Sequence, residues 1–139
     1  MTPTQIADVR TSFAGVRPIA DATAALFYGR LFELDPSLRA MFRGDMEKQG
    51  RMLMQVIGVA VASLDRMEIL VPTLHDLGRR HAEYGVQNAH YDTVASALMW
   101  TLERGLGGGF TPPVREAWTA VYGLLAQTMQ NGADMGKAA

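Results

Sequence analysis

Leu70-Val-Pro-Thr-Leu-His-Asp-Leu-Gly-Arg-Arg-His-Ala-Glu-Tyr-Gly-Val86 combines a helical rhythm with an unusual inward residue. Leu70, Leu74, Leu77 and His81 are separated by four, three and four positions, so they share one face of a helix. Asp76, Arg79 and Arg80 fall away from that face. Pro72 reads as the start of this helix, and Gly85 as its close. The same rhythm recurs downstream. Tyr91, Val94, Ala95, Leu98 and Leu102 form one stripe, and Val114, Trp118, Val121, Leu125 and Met129 form another. Residues 52–64 are apolar on more than one face, which predicts a segment running through the core. Upstream, Thr2-Pro3-Thr4-Gln5 has the cap, first-turn proline and capping-box glutamine of a helix reaching about Ala14. Pro18 precedes an apolar-rich stretch over residues 19–34, and Asp35-Pro36 opens a short turn of helix ending near Phe42. Thr111-Pro112 opens the last helix, which Asn131-Gly132 closes. No Asn-Gly turn lies between alternating apolar segments, so no hairpin competes. The chain is predicted to be all-α, with about six to eight helices and every proline at a helix start.

Composition sets the outer limits. A length of 139 residues fits one domain, with a core over about residues 3–131 and a flexible tail over about 132–139. A hydrophobic fraction of 48% is enough to fill that core. With 13 Lys and Arg against 14 Asp and Glu, there is no basic stripe to neutralise phosphates, which argues against nucleic acid as a partner. The absence of cysteine excludes disulfide scaffolds, zinc ribbons and thiol catalysis, and fits a reducing compartment. The first ten residues lack the basic-then-apolar pattern of a secretory signal. The longest uncharged runs, 52–64 and 117–133, fall short of the ~20 apolar residues that span a bilayer. A cytoplasmic protein without membrane insertion is expected. Gly105-Leu-Gly-Gly-Gly109 follows a helix and lacks Gly-Lys-Ser/Thr, so it reads as an interhelical connection rather than a phosphate loop.

A lone histidine on an inward face has two readings. His81 can be a core residue with its nitrogens hydrogen-bonded. It can also ligate a metal: at the closing turn of a helix, one ring nitrogen donates to the carbonyl one turn back, near Leu77. That bond fixes the tautomer and makes the other nitrogen a better ligand. His75, six residues earlier, points to another face, and His90 is no stronger a candidate. No second cysteine, histidine or carboxylate stands at the spacing that would complete a tetrahedral site. A single-histidine metal site needs a group that brings its own equatorial donors, and haem is such a group.

The run Leu77-Gly-Arg-Arg-His-Ala-Glu-Tyr-Gly-Val86, followed by His90-Tyr91, resembles the proximal region of bacterial haemoglobins, specifically single-domain globins related to the haem domain of flavohaemoglobins. Leu26-Phe-Tyr-Gly-Arg-Leu-Phe32 resembles their second helix with its distal tyrosine. Asp35-Pro-Ser-Leu-Arg-Ala-Met-Phe42 resembles the short third helix, which ends in the phenylalanine that wedges the haem. Gln49-Gly50 and Arg51-Met-Leu53 match the distal helix, and Trp118 and Tyr122 match the last. The resemblance runs from about Ile6 to Gln130. It implies a globin fold enclosing haem b, with His81 as proximal iron ligand and Tyr28 and Gln49 over the opposite face. From its polar neighbours Glu47 and Lys48 alone, Gln49 reads as solvent-facing. Phe42, Leu53, Val56, Leu77, Val86 and Val94 would line the pocket. Ala24 and Gly50 would allow the second and distal helices to cross closely. Arg80 would pair with a haem propionate, or else belong to a solvated helix face. In flavohaemoglobins a tyrosine and a glutamate join the proximal histidine in a hydrogen-bond network. Tyr91 matches the tyrosine, but the glutamate position falls at Ala133, which implies a histidine that pushes less charge to the iron.

By resemblance the function is reversible binding of O2, and of NO and CO, for oxygen storage or delivery. The alternative is a nitric oxide dioxygenase converting NO and O2 to nitrate. The chain shows no Gly-x-Gly-x-x-Gly turn, so the electrons for turnover would come from a separate reductase. A haem-free helical sensor or interaction module is a third class. Oligomeric state is not read from the sequence.

Overall fold

The computed structural model describes residues 1–138, with side chains through residue 135. It contains six α-helices and no strand among the described residues: α1 (Pro3–Val16), α2 (Ala20–Leu34), α3 (Met46–Ala62), α4 (Met67–Glu83), α5 (Asn88–Leu106) and α6 (Pro112–Ala138). Three short 3-10 turns join them, at Arg17–Ile19, Pro36–Met41 and Gly107–Gly109. The starts of α1 and of the Pro36 turn follow the capping logic of the sequence. The Thr2 hydroxyl accepts from the Gln5 N–H at 3.1 Å, and the Gln5 side chain accepts from the Thr2 N–H at 3.0 Å. Asp35 accepts from the Ser37 N–H at 3.1 Å, opening the turn that ends beside Phe42. Each bond satisfies a backbone donor that has no partner within its helix.

The apolar stripes become three clusters. Val9, Phe13 and Val16 of α1 pack against Trp118 and Val121 of α6, with Leu64 and Leu102 between. The Trp118 indole N–H donates to the Ser12 hydroxyl at 2.8 Å, so the largest side chain of this core leaves no buried donor unpaired. A second cluster joins Phe27, Tyr28 and Leu31 of α2 to Leu38 and Ala97, with Phe42, Leu53 and Val94 packed on it. A third sets Leu70 and Leu74 of α4 against Ala60, with Leu77, Leu125 and Met129 alongside.

Three sequence expectations are corrected. Pro72 does not start its helix: α4 begins at Met67, and the proline is its sixth residue. Extending the helix upstream lets Leu70 be buried and Met67 pack on the third cluster. The carbonyl that Pro72 fails to bond belongs to Glu68, which is exposed and open to water. Asn131-Gly132 does not close the last helix, which runs through it to Ala138. Gly132 is buried against the backbone of His75, where any Cβ would overlap main-chain atoms. Its missing side chain serves close helix packing, not a turn. The expected tail from 132 is therefore helical as far as residue 138, and Ala139 lies outside the described residues. Finally, the segment 52–64 is core on one side only. Its Gly50–Gly58–Val61 side is buried, whereas Met52, Val56 and Val59 are exposed.

That last exception defines the architecture. α3 packs on α1 and α2, but α4 turns away and leans chiefly on α6. Consecutive helices α3 and α4 thus diverge, and an apolar face of α3 has no helix laid over it.

Candidate functional site

Tyr28 sits in the middle of α2, only 7% exposed, inside an aromatic cage. Phe27 and Phe42 meet its ring edge-on at centroid distances of 5.1 and 5.3 Å, and Phe32 stacks at 6.1 Å. The Gln49 amide Nε2–H donates to the Tyr28 Oη at 3.2 Å. That reach depends on how closely α2 and α3 cross: a Cβ on Gly50 would stand 2.8 Å from the Ala24 Cβ, nearer than side-chain carbons approach. The two small residues therefore draw the first turn of α3 onto α2, and Gln49 becomes half-buried despite its charged neighbours. Burial pushes the Tyr28 ionisation above the ordinary phenol value of 10.0, and the bond from Gln49 offsets only part of this. At neutral pH the phenol keeps its proton. Because its oxygen already accepts from Gln49, its own O–H is available to a third group. Leu53 and Val94 pack on the same cluster. Gln49, Leu53 and Val56 follow at steps of four and three along α3, so they share one face. Met52, beside them at 51% exposure, belongs to this surface and was not singled out by the sequence reading. Its three- and four-residue offsets from Gln49 and Val56 were the available signal.

His81 lies at the end of the α4 stripe, half-buried. Its Nδ1 is 2.7 Å from the Leu77 carbonyl oxygen, as the helix position anticipated. A carbonyl can only accept, so Nδ1 carries the proton and Nε2 keeps its lone pair for a ligand. Just beyond, Gly85 adopts φ +95°, a conformation costly for any other residue. It lets the N–H of Val86 return to the His81 carbonyl at 3.0 Å and its own N–H to Ala82 at 3.1 Å. This double closure fixes the last turn of α4 and holds Val86 next to His81. Arg80 is exposed and pairs with Asp76 at 3.0 Å, and Arg79 shares the same carboxylate. Leu77 packs on the cluster of Ala60, Leu70 and Leu74, where α4 meets the end of α3.

Tyr91, in the first turn of α5, is 9% exposed, and its Oη has no hydrogen-bond partner among the described residues. Its backbone carbonyl accepts from the Tyr122 Oη at 2.7 Å. Burial raises the ionisation of both phenols. Ala133, on α6, offers Tyr91 no carboxylate. The remaining histidines have structural work. His90 Nδ1 accepts the Gln87 N–H at 2.9 Å at the start of α5, and the His75 backbone forms the seat of Gly132.

The structure thus brings Tyr28, Gln49, Phe42, Leu53 and Val94 into one wall, with Val56 extending it along α3. His81, Arg80 and Val86 belong to the end of α4. One imidazole with a free Nε2, an uncovered apolar face and a buried phenol O–H suit a flat, largely apolar group that carries a metal with its own equatorial donors.

Helix order, the diverging α3 and α4 and this set of side chains are those of a globin. The family model described as Globin matches residues 25–129, and the chain belongs to the globin family. It is 29% identical over 130 residues to a flavohemoprotein of Vibrio cholerae, an alignment covering 91% of this chain and 33% of that protein. The chain therefore spans about a third of that relative's length. It is 31% identical over 121 residues to neuroglobin-1 of Oncorhynchus mykiss, covering 77% of this chain and 76% of that one. Among solved structures, an engineered carbene transferase described as a nitric oxide dioxygenase from Rhodothermus marinus superposes with a TM-score of 0.88 at 25% identity, covering 99% of this chain and 96% of the other. The chain is a globin related to flavohaemoglobin haem domains, and that membership implies haem binding. Among the described residues no helix is long and apolar enough to cross a membrane.

Proposed function

We propose that this globin holds haem b between α3 and α4 and binds O2 reversibly in the cytoplasm, for storage or delivery, with NO and CO as further ligands. His81 Nε2 would hold the iron, Phe42, Leu53, Val56, Leu77, Val86 and Val94 would line the pocket, and Arg80 would exchange Asp76 for a propionate. The observation that carries this reading is the 2.7 Å bond from His81 Nδ1 to Leu77, which leaves Nε2 as the free donor at the end of an apolar stripe. Bound haem supplies an iron with one open position for a diatomic ligand. On that side Tyr28 Oη holds a proton it can donate to the ligand, while Gln49 fixes the phenol's orientation by donating to the same oxygen. One such bond in a water-poor pocket is worth about 1–3 kcal/mol, or up to roughly a hundredfold in ligand retention. With Ala133 at the position where flavohaemoglobins carry a glutamate, no carboxylate joins the proximal network, and His81 would push less charge to the iron.

A second reading, nitric oxide dioxygenase, is supported by the likeness to the Rhodothermus protein. It combines NO, O2 and one electron into nitrate, and the electron would come from a separate reductase. The same protein sample distinguishes the two. Reversible O2 binding to the reduced, haem-loaded chain, without catalytic nitrate formation beside a surrogate reductase, is the expected result for storage or delivery. Sustained nitrate production assigns the enzyme, and failure to bind O2 at all removes both readings.

A further inference from the structure

A cavity of about 460 Å³ lies between α1 and the last turns of α3. It is on the buried Gly58–Val61 side of α3, away from the exposed face of Met52, Val56 and Val59. Phe13, Ala14 and Val61 give it an apolar floor, and Arg10, Arg17 and Arg66 surround it with one carboxylate, Asp65. The three cations are differently employed. Arg10 Nε donates to the Val61 carbonyl at 3.2 Å, and its Nη2 donates to the Ala62 carbonyl at 3.0 Å and to Asp65 at 2.8 Å. It thereby caps the end of α3 and neutralises the carboxylate. Arg17 and Arg66 form no ion pair among the described residues. Arg17 is nevertheless held in place. Its guanidinium lies over the Phe13 ring, 5.3 Å from the centroid, and a Cβ on Gly58 would come within 3.3 Å of its Nη2. The glycine leaves the room in which that guanidinium rests against α3.

We infer that this cavity binds a compact organic anion, an apolar body carrying one carboxylate or phosphate. The body rests on Phe13, Ala14 and Val61, and Arg17 and Arg66 take the anionic head. A planar guanidinium offers such a head paired N–H donors. Asp65 does not repel it, because its charge is already met by Arg10. The site is separate from the haem reading and does not depend on it.

The test titrates the haem-loaded full chain by calorimetry with naphthoate, naphthyl phosphate, naphthalenemethanol and inorganic phosphate. One naphthyl anion should bind per chain with an unchanged Soret band, and the uncharged alcohol and inorganic phosphate should bind at least about tenfold more weakly. The tighter of the two naphthyl anions identifies the head as carboxylate or phosphate. Arg17→Gln and Arg66→Gln should each weaken binding about tenfold. Arg43→Gln, which removes the same charge from an exposed site elsewhere, should leave it unchanged. Wild-type affinity in Arg17→Gln or in Arg66→Gln would overturn the proposal. An equal loss in Arg43→Gln would overturn it too, because it marks attraction by net charge alone. A Soret shift would do the same by placing the anion at the haem, as would alcohol or inorganic phosphate binding as tightly as the naphthyl anions. Failure of both naphthyl anions to bind would refute it outright.

Discussion

Tyr28 has one proton to give, and its surroundings decide where it goes. Three aromatic rings hold the side chain, Gln49 occupies its oxygen as a donor, and burial keeps it protonated. Replacing Tyr28 by Phe keeps the ring and removes only the O–H. O2 dissociation should then speed up by roughly ten- to a hundredfold, from the loss of about 1–3 kcal/mol, while haem content is unchanged. Stopped-flow O2 release measures this, and an unchanged rate would mean the phenol does not face the ligand. Because the Tyr28 ionisation is raised, the proton is lost only above the ordinary phenol range. The wild-type release rate is thus expected to stay level through neutral pH. At this scale the sequence was legible where one helix's own spacing controls the outcome. His81 could be placed inward, and its Nδ1 bond anticipated, from residues on the same helix. Gln49 could not, because its neighbours Glu47 and Lys48 read as solvent-facing. Its burial comes from the meeting of Gly50 with Ala24, residues 26 apart in sequence, and only the family resemblance located it.

Helices α4 and α6 show how an element positions a ligand. α4 rests chiefly on α6, so the place of His81 depends on how closely those two backbones approach. They approach at two glycines: Gly78 of α4 lies against the Met129 backbone, and Gly132 of α6 lies against that of His75. Gly132→Ala should reveal the conflict between two energies. Helix propensity favours the alanine by about 1 kcal/mol, whereas overpacking costs about 1–3 kcal/mol. Here the crowded neighbour is backbone, which cannot swing aside, so overpacking wins and the urea midpoint should fall. Gly123→Ala on the same helix, where a Cβ meets nothing within 4 Å, should raise it. Equal stabilisation by both substitutions would show that the helices are not in close contact. This is also where reading by punctuation misleads. A Gly after Asn resembles a helix stop, and a Pro resembles a start, but both residues also occur inside helices. Gly132 is there for an approach by a distant helix, and Pro72 stays because the Leu70–Leu74 stripe gains more from burial upstream than the lost bond at an exposed carbonyl costs.

Across the whole molecule, one half gathers α2, α3 and the Phe42 turn around Tyr28, and the other carries His81 on α4 against α6. The exposed valines and methionine of α3 are an ordinary surface liability until a flat apolar group covers them. The all-α class and the starts of α1, α2, the Pro36 turn and α6 were readable from periodicity, prolines and caps, since these are local. The uncovered α3 face was not, because residues 52–64 carry enough apolar side chains for a fully buried helix, and only the divergence of α4 leaves part of them without protein contact. A group that binds the folded chain alone also stabilises it, by about 2.7 kcal/mol at a hundredfold excess over its dissociation constant. The most direct test of the account is therefore a haem titration of wild type and His81→Ala, followed by Soret absorbance and thermal unfolding. Wild type should bind one haem per chain and unfold at a higher temperature once loaded. His81→Ala should keep its helical content but lose both the stable Soret band and the thermal gain. A His81→Ala protein that holds haem with wild-type spectrum and affinity would contradict the account.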